Sequence, residues 1–137
     1  MNIAWINDAV GNPEMHAHLL EFDTVFDTVH GRWDATFEHD ADSVSINGKR
    51  IPFIGTPDLA ALPLDGVDVV IDCTGIFKSE AKIAPYFQTD VKKVVVSAPV
   101  KDGPTANIVY GLNHEVCDPA LHSIVTAASP ETALLSF

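Results

Sequence analysis

Two kinds of hydrophobic pattern run along the chain. Continuous Val/Ile-rich runs at residues 66–75 (GVDVVIDCTG), 91–99 (VKKVVVSAP), 106–113 (ANIVYGLN) and 122–129 (HSIVTAAS) predict buried strands of the parallel type. The run NIAWIN, Asn2 to Asn7, predicts a further short buried strand that closes on Asp8. Helical signals lie between the runs. Asn12-Pro13-Glu14 combines an N-cap residue, a proline at the first helical position and an acid on the positive end of the dipole. That helix is expected to reach about Val25, with Met15, Leu19, Leu20 and Phe22 on its apolar face. Ser79 can cap a second helix over Glu80–Gln88, which Pro85 should bend or shorten. TPDLAALPL reads as a short helical turn.

One stretch departs from this alternation. Asn47-Gly48 between β-rich runs is a type I′ hairpin signal, with partners Ser43–Ile46 and Lys49–Ile54 and a third strand at Ala35–His39. FDTVFDTV, residues 22–29, repeats four residues in tandem. Within a helix such a copy rotates the later residues by only about 40°, so it reads as a short duplication and not as a repeat architecture. Buried strands separated by helical segments, with this hairpin inserted, predict an α/β fold built on a largely parallel sheet.

Candidate chemistry gathers at strand ends. Asn7-Asp8, Cys73-Thr74-Gly75 and Ser97-Ala98-Pro99 place small and polar residues at the carboxyl ends of predicted strands. In parallel sheets a nucleotide lies across such ends. An aspartate closing an early strand can accept hydrogen bonds from a ribose diol. Each segment alone also fits an ordinary turn; the three together favour a nucleotide-binding crevice. No G-x-G-x-x-G occurs in the chain. His114-Glu115-x-Cys117-Asp118 lacks a second closely spaced ligand pair and reads as a solvated turn, so no metal site is expected. His16 and His18 read as surface residues of the first helix, and His30-Gly31-Arg32 as a loop. The closing strand SIVTAAS runs into Ser129-Pro130-Glu131-Thr132, where an α/β enzyme often carries its reacting group.

Length and charge narrow the classes. The chain has the size of one domain. A formal charge of −11 argues against non-specific binding to nucleic acid or anionic membranes. The two cysteines, Cys73 and Cys117, form no C-x-x-C pair and fit a reducing cytoplasm. No apolar run reaches the roughly 18 residues of a membrane span, and the start has no signal-peptide pattern.

The segments WINDAVG, HLLEFDTV, DTVHGRWD, INGKRI, GVDVVIDCTGIF, KKVVVSAPVKD, IVYGLNHEVCDP and HSIVTAAS succeed one another through the chain. In that order and spacing they resemble the glyceraldehyde-3-phosphate dehydrogenase family, which includes the erythrose-4-phosphate dehydrogenases. The likeness runs from residue 3 to about residue 129. It implies an NAD(P)-binding Rossmann domain followed by a catalytic domain, a tetramer, and phosphorylating oxidation of an aldehyde through a cysteine thioester. By the same likeness Asp8, next to Asn7, is similar to the residue that binds the adenine ribose. Cys73-Thr74-Gly75 resembles the Ser/Ala-Thr-Gly loop along the cofactor, Phe77 the aromatic residue after it, and Ser97 the Ser/Thr near the nicotinamide. Pro57 stands where the family often has an arginine beside the adenine.

Three departures shape the expectation. The family's first strand, glycine-rich turn and first helix would precede Asn2, leaving a central slot that NIAWIN could shift to fill. The family's Ser-Cys-Thr-Thr-Asn reads Ser129-Pro130-Glu131-Thr132-Ala133 here, so Pro130 stands at the cysteine position and Ser129 is a remnant of the phosphate site. Pro130 has no thiol, Glu131 would repel a phosphate dianion, and neither Cys73 nor Cys117 aligns as a substitute. The family's later residues, its activating histidine included, would lie in an absent catalytic domain. Residues 1–137 are therefore expected to be an incomplete NAD(P)-binding domain without catalytic residues. The expected cofactor-binding positions are Asn7, Asp8, Cys73, Thr74, Gly75 and Ser97, holding NAD or NADP weakly. The expected partners are a small-molecule nucleotide and further copies of the chain. The alternatives are a non-catalytic nucleotide-binding or oligomerisation module, and a decayed, truncated gene product.

Overall fold

A computed structural model describes residues 2–22, 34–100, 102–103, 105–109 and 111–127. The fold is α/β and divides into two compact units, Met1–Leu62 and Pro63–Phe137. Among the described residues each carries its own four-stranded sheet.

In the first unit the strands are β1 (Ile6–Asn7), β2 (Phe37–His39), β3 (Ser43–Ile46) and β4 (Lys49–Ile54), in the order β1-β4-β3-β2. The β2-β3-β4 meander is antiparallel, and β1 joins β4 in parallel with Ile6 opposite Phe53. The hairpin turn is as the sequence predicts. Asn47 and Gly48 both take positive φ, 51° and 74°, which a type I′ turn requires. The Asn47 side chain accepts from the Thr36 N–H at 2.9 Å, while its own N–H donates to Thr36 O at 2.8 Å, so the turn also anchors the start of β2. Nothing lies within 4 Å of a Cβ placed on Gly48. Gly48→Ala is therefore expected to cost only the left-handed conformation, about 1 kcal/mol. An unchanged urea midpoint would count against this turn. From the second position of β4 Arg50 bonds Ser43 Oγ at 2.8 Å and pairs with Asp40 and Asp42 of the β2–β3 connection.

Val44 and Ile51, opposite each other on β3 and β4, are fully buried and form the centre of this unit's core. The helix α1 (Pro13–Glu21) packs on β2 and β3. Asn12 caps it, its Oδ1 accepting from Met15 N–H at 2.8 Å, with Pro13 in the first turn. Its buried face differs from the expected one: Pro13 and Ala17 are buried, while Met15, Leu19 and Phe22 are exposed. The small Ala17 lets the helix backbone approach the sheet, and the larger apolar residues flank that contact. The tandem copy past Phe22 and the His30-Gly31-Arg32 cluster lie outside the described residues. NIAWIN is also shorter and more exposed than predicted. Only Ile6 and Asn7 form strand, and Asn2, Ile3 and Ala4 are exposed. Among the described residues its strand partner is β4, with which it runs parallel at the end of the β1-β4-β3-β2 order.

In the second unit β5 (Val69–Asp72), β6 (Lys93–Val96), β7 (Ala106–Ile108) and β8 (Ile124–Ala127) form an all-parallel sheet in the order β5-β6-β8-β7. Between β5 and β6 runs α2 (Glu80–Ile83), which tightens into a 3₁₀ stretch over Ala84–Gln88. The change falls at Pro85, which has no N–H to continue the α-ladder. One face of the sheet is closed, with Val70, Asp72, Val94, Val96, Ile124 and Thr126 all buried. The strand expected to be buried over residues 66–75 is buried on one face only. Val69 and Ile71 are 48% and 60% exposed, because among the described residues β5 is an edge strand and its helical cover, through Tyr86, lies on the Asp72 side.

Candidate functional site

Two clusters of polar groups stand at strand ends, one in each unit. In the first, β1 stops at Asn7, whose side chain makes a reciprocal pair of bonds. Its Nδ2 donates to Thr56 O, and its Oδ1 accepts from Thr56 N–H, both at 3.0 Å. This ties β1 to the loop that leaves β4 and occupies the Asn7 amide. Asp8 N–H then donates to Ile54 O at 3.1 Å, which fixes where the Asp8 side chain emerges.

The Asp8 carboxylate is held from both sides. Oδ1 accepts from the Val10 N–H at 2.9 Å, and Oδ2 lies 2.9 Å from His16 Nε2. The Val10 N–H, and next the His16 hydrogen bond, hold the carboxyl pKa below its ordinary value. The side chain keeps 35% of its surface exposed. A carboxylate offers about four lone-pair sites, so Asp8 retains acceptors for an incoming pair of hydroxyls. His16 is not the surface residue its spacing suggested. Its side chain is only 22% exposed, and its ring packs on Phe53 at 5.1 Å between centroids. His18, by contrast, is exposed. The cue was the helix start: Pro13 fixes the first turn close behind β1, and a residue one turn on reaches back to the strand end. Gly11 completes the cluster, since a Cβ there would stand 2.6 Å from His16 Nε2 and 2.8 Å from Asp8 Oδ2.

In the second cluster β5 ends at Asp72 and opens into Cys73, Thr74 and Gly75. Ser97 N–H donates to Asp72 O at 2.8 Å, which brings the exposed Ser97 beside the exposed Cys73 and Thr74. Gly75 takes φ +68°, and nothing lies within 4 Å of a Cβ built on it, so the outer edge of this loop is open. Underneath sits a residue that sequence reading did not single out. Asp72 is 2% exposed, and its Oδ1 accepts from Thr74 N–H at 2.8 Å and from the Thr74 hydroxyl at 2.7 Å. Its Oδ2 accepts from the Tyr86 hydroxyl at 3.1 Å. Tyr86 is itself buried and meets Phe77 edge-on, 6.0 Å between centroids. Burial, and then the Asp72 charge, push the Tyr86 phenol well above its ordinary pKa.

The remaining expected positions fall elsewhere. Pro57 is exposed, next to Thr56. His114–Val116 is a single 3₁₀ turn closed by local bonds, Gly111 N–H to His114 Nδ1 among them, which fits the solvated turn predicted. Ser129 and Pro130 lie outside the described residues. Among the described residues no three potential metal ligands converge, and no helix is long and apolar enough to cross a membrane.

Residues 1–80 match the family model described as glyceraldehyde 3-phosphate dehydrogenase, NAD binding domain. The chain belongs to the glyceraldehyde-3-phosphate dehydrogenase family. Among relatives in this dehydrogenase family, glyceraldehyde-3-phosphate dehydrogenase 3 of Nostoc sp. is 41% identical over 133 residues, 96% of this chain and 38% of that protein. The glyceraldehyde-3-phosphate dehydrogenase of Pseudomonas aeruginosa is 41% identical over 138 residues, 99% of this chain and 39% of its own length. The chromosomal enzyme of Cupriavidus necator is 40% identical over the same span and shares. The chain thus spans about two fifths of the length of the curated relatives it matches. The match to the NAD-binding domain includes both Asp8 and the Cys73-Thr74-Gly75 loop.

Proposed function

We propose that this chain binds NAD, with Asp8 of the first unit accepting from the hydroxyls of the adenosine ribose. The observation that carries the reading is the Asp8 carboxylate. It is partly exposed, ionised and oriented at the end of β1, inside a segment that matches an NAD-binding domain. Its negative charge favours a free 2′-hydroxyl over a 2′-phosphate, hence NAD over NADP. Within the second unit, taken by itself, the Cys73–Gly75 loop and Ser97 are the groups suited to contact a cofactor, because Cys73, Thr74 and Ser97 are exposed and the Gly75 backbone permits close approach. The nicotinamide ring supplies a hydride acceptor when bound. The residues of this chain bind and orient it.

Residues 1–137 are proposed to lack the chemistry of the family's dehydrogenases. Pro130 stands where the thiolate nucleophile is expected and can form no thioester. The chain holds no G-x-G-x-x-G turn for the pyrophosphate, so affinity for NAD is expected in the millimolar range, about −4 kcal/mol. The two free thiols, Cys73 and Cys117, suit a reducing cytoplasm as its compartment.

Calorimetric titration with NAD tests the binding. Asp8→Ala is expected to weaken it about tenfold, the worth of one hydrogen-bond pair to a charged group. No heat from the wild-type chain at millimolar NAD overturns the reading. Production of NADH from glyceraldehyde 3-phosphate and phosphate by the purified chain, above a contaminant control, overturns the lack of chemistry.

A further inference from the structure

Asp72 is a buried carboxylate that the proposed contacts leave unused, and its two oxygens face different parts of the second unit. Oδ1 takes both the N–H and the hydroxyl of Thr74, and Oδ2 takes the hydroxyl of the buried Tyr86. The Thr74 hydroxyl is committed a second time, accepting from the Ile76 N–H at 3.2 Å. The N–H and the hydroxyl of Thr74 are thus engaged inside the loop. Cys73, Ser97 and the backbone of Gly75 remain to face a ligand. Ser97 is tied to the same residue, its N–H donating to the Asp72 carbonyl.

We propose that Asp72 and Tyr86 are positioning residues, a buried brace that holds the Cys73–Gly75 loop in its ligand-facing shape and turns Thr74 from a ligand contact into part of that brace. This rests on the nucleotide reading for its functional consequence, and on the geometry of the second unit for the brace itself. A buried carboxylate is costly unless its oxygens are satisfied. Here three donors satisfy it, two from the loop and one from the covering helical segment, so the loop cannot leave without stripping it of two of the three. Holding the loop in place before a ligand arrives removes an ordering cost from binding.

The test uses the 137-residue chain and two readouts, hydrogen exchange at the Thr74 amide without nucleotide and NAD affinity by calorimetry. Tyr86→Phe is expected to speed Thr74 exchange about tenfold and weaken NAD about fivefold. Asp72→Ala is expected to do more in both. Asp72→Asn keeps an oxygen for Thr74 and an N–H for the Tyr86 oxygen, and should restore both readouts to within about twofold of wild type. Ile83→Val, which trims a core residue outside the brace, should leave both unchanged, whereas a generally loosened fold would shift them. If Asp72→Ala does not fold, Tyr86→Phe carries the test. A folded Tyr86→Phe chain with wild-type Thr74 exchange and NAD affinity overturns the proposal. A wild-type chain that binds no NAD overturns the nucleotide reading instead, and the Thr74 exchange rates then decide the brace by themselves.

Discussion

Tyr86→Ala is expected to destabilise the chain by about 4 kcal/mol, the usual cost of emptying a buried aromatic site. That is a large share of the 5–15 kcal/mol typical of whole domains. Tyr86 is 3% exposed, packs edge-on against Phe77 and donates to the buried Asp72. Alanine removes the ring contacts and one donor together. Tyr86→Phe keeps the ring and removes only the donor, so about 1.5 kcal/mol is expected. Asp72 still has the two Thr74 donors, which keeps this second figure low. The difference between the variants in urea unfolding separates packing from hydrogen bonding. Equal losses would mean that the ring contributes little.

The same phenol sets an alkaline limit. Its folded pKa is raised above the ordinary value of 10.0, first by burial and then by the Asp72 charge. A group raised on folding stabilises fully below its unfolded pKa, and that contribution fades as pH climbs toward the folded value. Wild-type stability should therefore fall faster than that of Tyr86→Phe above pH 10.0. Lys92, raised by its contact with Asp68, titrates in both proteins and cancels in the comparison. Parallel curves for the two chains would refute the assignment.

Gly11→Ala is expected to weaken NAD binding about tenfold while changing stability by less than about 1 kcal/mol. An added Cβ would approach His16 Nε2, Met15 Cε and Asp8 Oδ2 to 2.6, 2.7 and 2.8 Å. All three are ends of side chains, so the backbone need not shift. Two of them are the partners of one hydrogen bond, and making room means separating them. Asp8 would keep the Val10 N–H and lose the His16 contact, so its ligand-facing oxygen would turn. Charge supplies a second readout. The folded pKa of Asp8 is lowered, chiefly by Val10 and then by His16. Its contribution to stability is thus present above its unfolded pKa and lost as pH falls through the folded value. In Gly11→Ala the carboxyl should titrate closer to its ordinary value by carboxyl-carbon NMR. An unmoved titration together with unchanged NAD affinity would show that the cluster tolerates the methyl.

The features legible in the sequence were local. The hairpin follows from two residues, Asn47 and Gly48, whose positive φ is a property of the turn alone. The α1 cap follows from Asn12 and Pro13, and the parallel strands from their β-branched runs. The features that escaped depend on distant partners. Nothing within GVDVVIDCTG distinguishes Val69 from Val70, yet one is half-exposed and the other buried. The helical cover that decides between them is reached through Tyr86, fourteen residues beyond Asp72. Hydrophobic periodicity chose Met15 and Leu19 for the core face of α1, whereas close approach to a sheet rewards the small Ala17. Asp8 was visible as a strand-end acid, but its partner His16 was not, because a pair eight residues apart meets only after the chain turns from strand into helix.

The β1 strand shows how little backbone a sheet edge needs. With two residues it would be a weak rung, but the Asn7 amide presents a donor and an acceptor to Thr56 just as a peptide group would. The side chain imitates the main chain and lengthens the ladder without adding a residue to it. Only a side chain that gives and takes hydrogen bonds at once can do this. Aspartate has the same shape, but it would set a carboxylate against the Thr56 carbonyl and turn one of the two links into a repulsion. Recognition at Asp8 thus begins one residue earlier, in an amide that behaves as a piece of borrowed backbone.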